Sequence, residues 1–338
     1  MKTKAIVFTS PWNVEFKDVE LATEGLKPGQ AVIRTEASIL SAGTESAILA
    51  GTESSWAPLP YIPGYGAVGR ILETGPGLEH LPKGDLVFSH SKHASASISD
   101  IMIAKVPEGL SARKAVFTRM AQVSITALRV ADVGLGDFVT VYGLGLVGNL
   151  AAQFFTLAGC EVIGIDLAED RLSLAQQCGI RHVVDGRSDV NQEVSRITGG
   201  ALCRAVVEAT GVPSIALKAA ELVGPLGDLV LLGTPRGECM TNLTDFLNRS
   251  HLWGNGCITV KGAHEWRFPV EKGTSGHVRY SFQNNAECIF RLLADDRLKI
   301  NPLMTMVADP ADAQAVYAGV RAKKPEYVGV VFDWSGYA

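Results

Sequence analysis

The sequence has no Cys-x-x-Cys pair, and it has no cysteine at all from Phe88 to Pro107. Wide and irregular spacings separate its six cysteines, which are Cys160, Cys178, Cys203, Cys239, Cys257 and Cys288. Such spacings fit neither a disulfide framework nor a zinc ribbon. We therefore expect most of these cysteines to be small, buried, apolar side chains.

Long runs of one charge and long apolar runs are missing as well. The net charge is −4, and no Lys/Arg run or basic segment interleaved with aromatics suits a nucleic-acid backbone, so no nucleic-acid partner is expected. The N-terminus has only a four-residue apolar run before Thr9, which is too short for a signal peptide or a membrane span. We expect a cytoplasmic protein with no membrane partner.

What is present is a globular composition over a length that suits two domains. The 338 residues are 47% hydrophobic and 20% charged, and a chain of this length is expected to form domains of about 150 residues. Short β segments broken by Pro and Gly continue to about residue 110, and strand-like runs then alternate with helical patterns to about residue 265. The first pattern predicts a mostly antiparallel β domain. The second predicts a parallel sheet covered on both faces.

The C-terminal part of the chain is predicted to return to the first domain. Residues 284–299 have the pattern of an amphipathic helix, and residues 329–334 that of a closing strand. We predict a β domain of residues 1–115 plus 282–338 and an inserted α/β domain of residues 116–281. The stretch 267–282 has no clear periodicity, so we expect a loop over a site there.

The strongest chemical signal is a G-x-G-x-x-G motif, formed by Gly143, Gly145 and Gly148 after a predicted strand and at the start of a predicted helix. Gly143 allows a tight turn, Gly145 lets backbone N–H groups approach a pyrophosphate, and Gly148 lets helix and strand pack closely. The helix N-terminus, with Leu146 and Val147, offers unpaired N–H groups to phosphates. The motif predicts a dinucleotide site, with a glycine turn that merely packs as the alternative.

Asp166 follows eighteen residues beyond Gly148, at the end of the next predicted strand. Its carboxylate is placed to accept hydrogen bonds from a ribose 2′-hydroxyl and to repel a 2′-phosphate, which favours NAD over NADP. Arg171, one helical turn further, is a candidate neighbour of the adenine or else a solvated helix residue. Candidates for contacts to the nicotinamide half, or else plain turn residues, end the fourth and fifth predicted strands: Thr210, Gly233 and Thr234.

The β-rich N-terminal part, the inserted α/β unit with its glycine loop and the C-terminal return together resemble the medium-chain dehydrogenase/reductase family. The resemblance covers nearly the whole chain, through "AVIRTEASILSAGTES", "YIPGYGAVGRILETG", "ALRVADVGLGDFVTVYGLGLVG" and "VGVVFDW". It implies an α/β fold in which a Rossmann doubly wound parallel sheet is inserted into a GroES-like, mostly antiparallel β catalytic domain. It also implies hydride transfer with a nicotinamide cofactor, here NAD.

The resemblance does not extend to the zinc ligands of the family's alcohol and polyol dehydrogenases. The places of those ligands hold Ala42, Tyr65, Gly66 and Arg119. Zinc binds thiolate, imidazole or carboxylate, and a guanidinium opposes a dication. We therefore predict no metal. The sequence pattern "GTE…PGY" is similar to that of a zinc-lacking branch of the family, which includes bacteriochlorophyllide dehydrogenases and sugar-oxidising relatives.

Five residues are candidates for handling the proton and the developing oxyanion without zinc. Thr44 stands where the family has its proton-relaying Ser or Thr, and its alternative is a hydroxyl that bonds its own turn. Glu45 is a candidate for holding a substrate hydroxyl, or a carboxylate favoured by a helix N-terminus. Tyr65 is a candidate hydrogen-bond donor to the substrate oxygen, or an aromatic ring filling the space of the metal.

The other two candidates are His93 and Arg119. His93 precedes a strand near the expected substrate site, and imidazole is suited to taking a proton near neutral pH. The alternative is a histidine that is hydrogen-bonded within the fold or lies at the surface. His90 is a weaker candidate for the same role. Arg119 is a candidate for neutralising an anionic substrate group or for pairing with Glu45. His264, Glu265 and Trp266 follow the last predicted strand of the α/β unit, which in the family often pairs across a dimer axis.

Together with the family resemblance, the polar set Thr44, Glu45, His93 and Arg119 implies a zinc-independent, NAD-dependent dehydrogenase that oxidises a secondary alcohol, on a sugar, cyclitol or similar polyhydroxylated compound. Its partner is then a small-molecule alcohol or carbonyl compound, and the resemblance implies a homodimer or homotetramer. A second hypothesis is the reduction of a quinone or enone. Such reductases commonly use NADPH, however, and Asp166 argues against binding of NADPH. A non-catalytic, dinucleotide-binding protein is a third.

Overall fold

A computed structural model describes residues 1–271, 273 and 279–337. Part of the loop expected over a site, at residues 272 and 274–278, lies outside the described residues. The elements found in the described part are, in chain order, β1 (Lys2–Ser10), β2 (Asn13–Glu20), β3 (Ala31–Ile39), α1 (Ala42–Leu49), β4 (Ala67–Thr74), β5 (Leu86–Ser89), β6 (Ala96–Ser99), β7 (Ala104–Lys105), α2 (Ala112–Ala115), α3 (Thr118–Val130), β8 (Phe138–Tyr142), α4 (Leu146–Leu157), β9 (Glu161–Asp166), α5 (Glu169–Gln177), β10 (His182–Asp185), α6 (Val190–Thr198), β11 (Cys203–Glu208), α7 (Pro213–Glu221), β12 (Val223–Leu231), α8 (Leu243–His251), β13 (Thr259–Gly262), α9 (Phe282–Ala294), β14 (Met306–Ala308), α10 (Ala313–Arg321) and β15 (Val330–Asp333).

The chain divides into two compact units. Residues Met1–Met120 and Pro269–Ala338 form the first, here called the β unit, and residues Ala121–Phe268 form the second, here called the α/β unit. The sequence placed these boundaries after residue 115 and before residue 282. The first boundary falls inside α3, a continuous helix, so neither Pro, Gly nor a change of pattern marks it.

The α/β unit is built on a six-stranded parallel sheet in the order β10-β9-β8-β11-β12-β13. Numbered within the unit, this is the order 3-2-1-4-5-6 of a doubly wound dinucleotide-binding fold. Alternate residues of one strand enter different cores, because Val206 packs with α6 and α7 residues while Val207 packs with α4 residues. Helices therefore cover both faces, and the predicted parallel sheet is confirmed.

The β unit has a seven-stranded sheet and a separate hairpin, β1 with β2. The sheet runs β14-β15-β3-β4-β5-β7, with β6 also paired to β3, and its neighbours are antiparallel except β14 with β15. The predicted antiparallel domain and the return of the C-terminal strand are thus confirmed. A core of Phe8, Leu49, Tyr317, Phe332 and Trp334 holds α1 and α10 against these strands. Among the described residues, no helix is both long enough and apolar enough to cross a bilayer.

Candidate active site

The glycine loop joins β8 to α4, and each of its three glycines meets a different constraint. Gly143 has φ +87, a backbone conformation that residues with a side chain rarely adopt. A Cβ on Gly148 would overlap the carbonyl oxygen of Gly143, so close packing requires that glycine. A Cβ on Gly145 would have no described protein atom within 4 Å. Packing and φ would both allow a side chain at position 145. The close approach of a pyrophosphate to the backbone is what requires a glycine there.

Asp166 ends β9 beside this loop, and its carboxylate is already oriented by the backbone. Oδ2 accepts a hydrogen bond from Leu144 N at 2.7 Å, and Oδ1 accepts one from Ala168 N at 2.9 Å. Arg171 Nη1 lies 3.6 Å from Oδ2. Leu146 and Val147 form the first turn of α4, and the helix begins at Gly145 without a side-chain cap. The loop and this carboxylate suit a dinucleotide whose ribose hydroxyls meet Asp166.

Glu208 is a residue of this edge that the sequence reading missed. It ends β11 and is buried, and its Oε1 accepts hydrogen bonds from Thr210 N at 2.7 Å and from Gly211 N at 3.1 Å. The Thr210 hydroxyl also donates to Oε1. A Cβ on Gly233 would overlap Gly211 N, so the loops after β11 and β12 are in close contact. An acidic residue directly before Ala-Thr-Gly at a strand end was the available signal.

Thr210 and the pair Gly233 and Thr234 therefore lie at one edge of the parallel sheet, together with the phosphate loop. The Thr210 methyl group lies close to Gly143, since a Cβ on that glycine would be 2.8 Å from Thr210 Cγ2. A Cβ on Gly211 would in turn overlap Thr234 O. The structure thus brings the predicted cofactor residues of three βα loops together at the carboxyl ends of the strands, where ligands of such sheets bind.

In the β unit, two half-buried residues, Thr44 and Tyr65, meet at the start of α1. The Tyr65 hydroxyl donates to Ser41 Oγ and is also hydrogen-bonded to Thr44. Burial raises the pKa of Tyr65 above its usual value near 10, and the Arg119 guanidinium and the two hydroxyls oppose that rise. Tyr65 therefore keeps its proton at neutral pH, and it lies within a group of three hydroxyls.

Glu45 and His93 lie deeper in the same unit, both with no exposed surface. His93 Nε2 is 3.1 Å from Glu45 Oε2, and His93 Nδ1 is 2.7 Å from Ser38 Oγ. Glu45 Oε2 also accepts from the Tyr317 hydroxyl at 2.5 Å. The other candidate histidine, His90, packs against aromatic rings instead. The sequence placed His93 on a loop before a strand, but its complete burial and its bonding at both ring nitrogens come only from the structure.

Arg119 and Tyr65, which the sequence resemblance matches to two zinc-ligand positions, contact each other. The Arg119 guanidinium carbon lies 4.5 Å from the centre of the Tyr65 ring, and Arg119 Nε donates to Tyr65 O at 3.0 Å. A Cβ on Gly66, at a third such position, would overlap the Arg119 side chain. Zinc binds thiolate, imidazole or carboxylate, and none of these four positions offers one: they hold the Arg119 cation, the Tyr65 phenol, Gly66 and Ala42. Over the described part of the chain, no three His, Cys, Asp or Glu side chains form a group that suits a metal ion.

All five candidate catalytic residues thus come together in the β unit as two connected groups. The half-buried Thr44 and Tyr65 form one group with the buried Arg119, and the buried Glu45 and His93 form the other. Ser41 joins the two, since its hydroxyl accepts from Tyr65 and its backbone N–H donates to Glu45 Oε1 at 2.9 Å. The sequence did not indicate a role for Ser41, because nothing in it shows which serine hydroxyl meets a distant tyrosine.

Comparisons with known proteins agree with this fold. A sequence model of the family described as zinc-binding dehydrogenase matches residues 147–269. An alcohol dehydrogenase of Rhizobium meliloti (strain 1021) is 26% identical over 311 residues, 80% of this chain and 89% of that protein. The D-guloside 3-dehydrogenase of Escherichia coli (strain K12) is 31% identical over 150 residues, 43% of each chain.

A solved structure is similar over almost the whole chain. Galactitol-1-phosphate dehydrogenase from Escherichia coli superposes with a TM-score of 0.81 and 19% sequence identity, over 98% of this chain and 99% of that one. The family match at residues 147–269 does not include positions 42, 65, 66 and 119. The match therefore covers most of the α/β unit and does not test the predicted lack of zinc ligands in the β unit.

Proposed function

The chain belongs to the medium-chain dehydrogenase/reductase family, and from this premise we propose a specific activity for it. The protein is a zinc-independent, NAD-dependent oxidoreductase that oxidises a secondary alcohol on a sugar, cyclitol or similar polyhydroxylated compound. Its matched relatives include dehydrogenases of alcohols, of a guloside and of erythritol or threitol, so an oxidoreductase of alcohols or polyols is the broad class.

One observation carries the zinc-independent part of this proposal. The Arg119 guanidinium lies against the face of the Tyr65 ring, at two positions that the sequence resemblance matches to zinc ligands. An arginine so close to a phenol favours negative charge on or near the phenol oxygen. The pair thus provides, from side chains alone, positive charge and a hydrogen-bond donor of the kind that a developing alkoxide needs.

NAD, when bound, would supply the acceptor for the hydride of the alcohol carbon. The residues of the chain then have two tasks, which are to hold the substrate oxygen and to remove its proton. With substrate bound, the Tyr65 hydroxyl donates to the substrate oxygen in place of Ser41 Oγ. The proton that the alcohol loses passes through the Ser41 and half-buried Thr44 hydroxyls to solvent water, which is its final acceptor. Several hydroxyls in one small group also suit a substrate with neighbouring hydroxyl groups.

The cofactor part rests on the phosphate loop and Asp166. Because Gly145 has no side chain, the backbone N–H groups at the start of α4 are accessible to a pyrophosphate. A Cβ at position 145 would contact no described protein atom within 4 Å, so protein packing does not explain this glycine. The buried, backbone-oriented carboxylate of Asp166 favours a free ribose 2′-hydroxyl over a 2′-phosphate. Both features support NAD.

The test is a spectrophotometric assay of the purified protein with NAD and a panel of sugars, cyclitols and simple secondary alcohols. We expect NAD reduction with a polyhydroxylated substrate, no loss of rate after exhaustive chelation, and a fall of about tenfold or more in kcat for Tyr65→Phe, the loss of one hydrogen-bond donor to an oxyanion. One equivalent of zinc required for turnover would refute the metal-free mechanism. Oxidation of NADPH by a quinone in place of NAD reduction, or binding of NAD without any turnover, would refute the activity.

A further inference from the structure

The buried pair of Glu45 and His93 performs a separate task from the hydroxyl group. We propose that these two residues are positioning residues, which together fix the separation and orientation of Ser41 and Tyr65, and that neither of them takes the substrate proton directly. This inference rests on the proposed function for its catalytic consequence, and on the described contacts for its geometry.

Glu45 fixes the Ser41 side of the hydroxyl pair. Its Oε1 accepts a hydrogen bond from Ser41 N at 2.9 Å, and Ser41 precedes α1 as its N-terminal cap residue. The Ser41 hydroxyl gives no side-chain cap to the helix, so it is available to accept from Tyr65. The Glu45 carboxylate therefore caps the backbone and leaves the hydroxyl for the site.

His93 fixes the Tyr65 side. Its backbone N–H donates to Pro63 O at 2.8 Å, directly before the turn that carries the tyrosine. Gly64 in that turn has φ +89, and a Cβ on it would be 2.8 Å from His93 Cγ and 2.9 Å from Nδ1. The imidazole thus packs against the one residue that separates Pro63 from Tyr65. A shift of the ring would shift the turn and the phenol with it.

The pair is itself held from two further parts of the chain. The Tyr317 hydroxyl, from α10, donates to Glu45 Oε2, and Trp334 Nε1 donates to Ser38 Oγ at 2.8 Å, which in turn contacts His93 Nδ1. Fixing every hydrogen-bonding atom of a buried pair makes its geometry rigid. Such a pair suits the support of a site better than proton exchange with solvent.

The decisive experiment is a double-mutant cycle with His93→Gln and Tyr65→Phe in the complete chain. If His93 acts by placing Tyr65, then His93→Gln lowers kcat by about tenfold or more in the original chain and by much less once Tyr65 is already Phe. We expect the loss in kcat to exceed the change in KM for NAD. Equal losses in both backgrounds, with the neutral-pH inflection of the rate profile removed by His93→Gln, would identify a general base and overturn the proposal.

If His93→Gln folds poorly, other variants around the pair test the positioning role. Tyr317→Phe removes only one donor to Glu45, and Glu45→Gln keeps an acceptor for Ser41 N, so both are expected to lower kcat less than Glu45→Ala does. Thr3→Val is the matched control, because Thr3 is a buried hydroxyl of the same unit that bonds Ser95 and Ala96. It is expected to reduce stability without a specific loss in kcat. A kcat loss for Thr3→Val as large as that for Tyr317→Phe would overturn the proposal.

A measurement without substrate separates this inference from the proposed function. Amide hydrogen exchange resolved by peptide is expected to speed up at residues 40–45 and 62–66 in His93→Gln and Glu45→Gln, but not in Thr3→Val. Unchanged exchange at both segments would overturn the positioning role, whatever the activity. Faster exchange in a protein that oxidises no alcohol would keep the positioning role and refute the proposed function alone.

Discussion

The three glycines of the phosphate loop are subject to different constraints, so the same substitution has different consequences at each. Gly145→Ala is expected to change the free energy of unfolding by less than about 1 kcal/mol, because a Cβ there meets no described atom within 4 Å. The same change is expected to weaken NAD binding at least about tenfold, or ~1.4 kcal/mol. Thermal unfolding without ligand and titration with NAD measure the two effects.

Gly148→Ala is the matched comparison. Its Cβ would overlap Gly143 O, so we expect a loss of stability of about 1–3 kcal/mol even without cofactor. A stable Gly148→Ala variant, or a Gly145→Ala variant that binds NAD as tightly as the original chain, would contradict the separation between a packing glycine and a ligand glycine.

We propose that Asp166 governs the choice between NAD and NADP. Asp166→Asn keeps one acceptor for the backbone N–H of Leu144 and removes the charge that repels a 2′-phosphate. The nearby Arg171, 3.6 Å from Oδ2, then faces no carboxylate. We expect the ratio of kcat/KM for NAD to that for NADP to fall about tenfold to a hundredfold, or ~1.4–3 kcal/mol. An unchanged ratio in steady-state assays would remove Asp166 from the ribose site.

The sequence predicted the glycine loop and Asp166 because their meaning lies in short spacings along one βαβ unit. It did not predict the burial of His93, whose partners Glu45 and Ser38 lie 48 and 55 positions away in the chain. Tyr317, which bonds Glu45, lies 272 positions from it. Hydrogen bonds of that span depend on how strands and helices pack, which no local pattern contains.

The loop after β11 depends on Glu208 for its conformation. Glu208→Gln keeps an acceptor in the place of Oε1, for Thr210 N and Gly211 N, and puts an N–H donor in the place of Oε2, against Gly211 N. We expect a loss of stability of about 1–3 kcal/mol and a rise in KM for NAD. Denaturant unfolding and cofactor titration measure these changes.

Asp228→Asn is the control for that substitution. Asp228 is also buried on a strand of the parallel sheet, where it accepts from Lys261 Nζ at 2.8 Å and from Asp132 N at 2.7 Å. We expect a comparable loss of stability and an unchanged KM for NAD. If both variants change KM alike, Glu208 acts through general stability and not through the loop.

The order of elements was predictable, while their ends were less so. Alternating strand-like and helical runs between residues 116 and 265 predicted the parallel sheet. In each run, the spacing of the apolar residues indicates which face of the helix or strand is buried. The boundary between the units was placed near residue 115, whereas α3 runs through Thr118–Val130 and the units divide after Met120. A helix whose residues belong to two units gives no break in composition or periodicity.

One segment of the α/β unit carries seven exposed large apolar side chains. Its members lie within residues 240–266, and they are Met240, Leu243, Leu247, Leu252, Trp253, Val260 and Trp266. Val260 belongs to β13, which is the edge strand of the sheet. Edge strands and apolar patches of this kind are common sites of self-association, so we propose that a second copy of the chain binds here.

Leu247→Glu is expected to weaken that self-association at least about tenfold, or ~1.4 kcal/mol. Sedimentation or light scattering over a concentration series gives the measurement. Leu135→Glu, at an apolar residue that is 89% exposed and lies outside this segment, is the control and is expected to leave the association unchanged. A chain that stays monomeric at all concentrations, or equal effects of both substitutions, would rule this surface out.

The β unit takes its residues from both sides of the inserted α/β unit. Trp334 reaches Ser38 across 296 positions, and this bond holds the histidine behind the hydroxyl pair. During synthesis on the ribosome, the glycine loop and its sheet are complete before β15 has emerged. We therefore expect a nascent chain to complete the proposed dinucleotide site before Trp334 is present to hold Ser38 and His93.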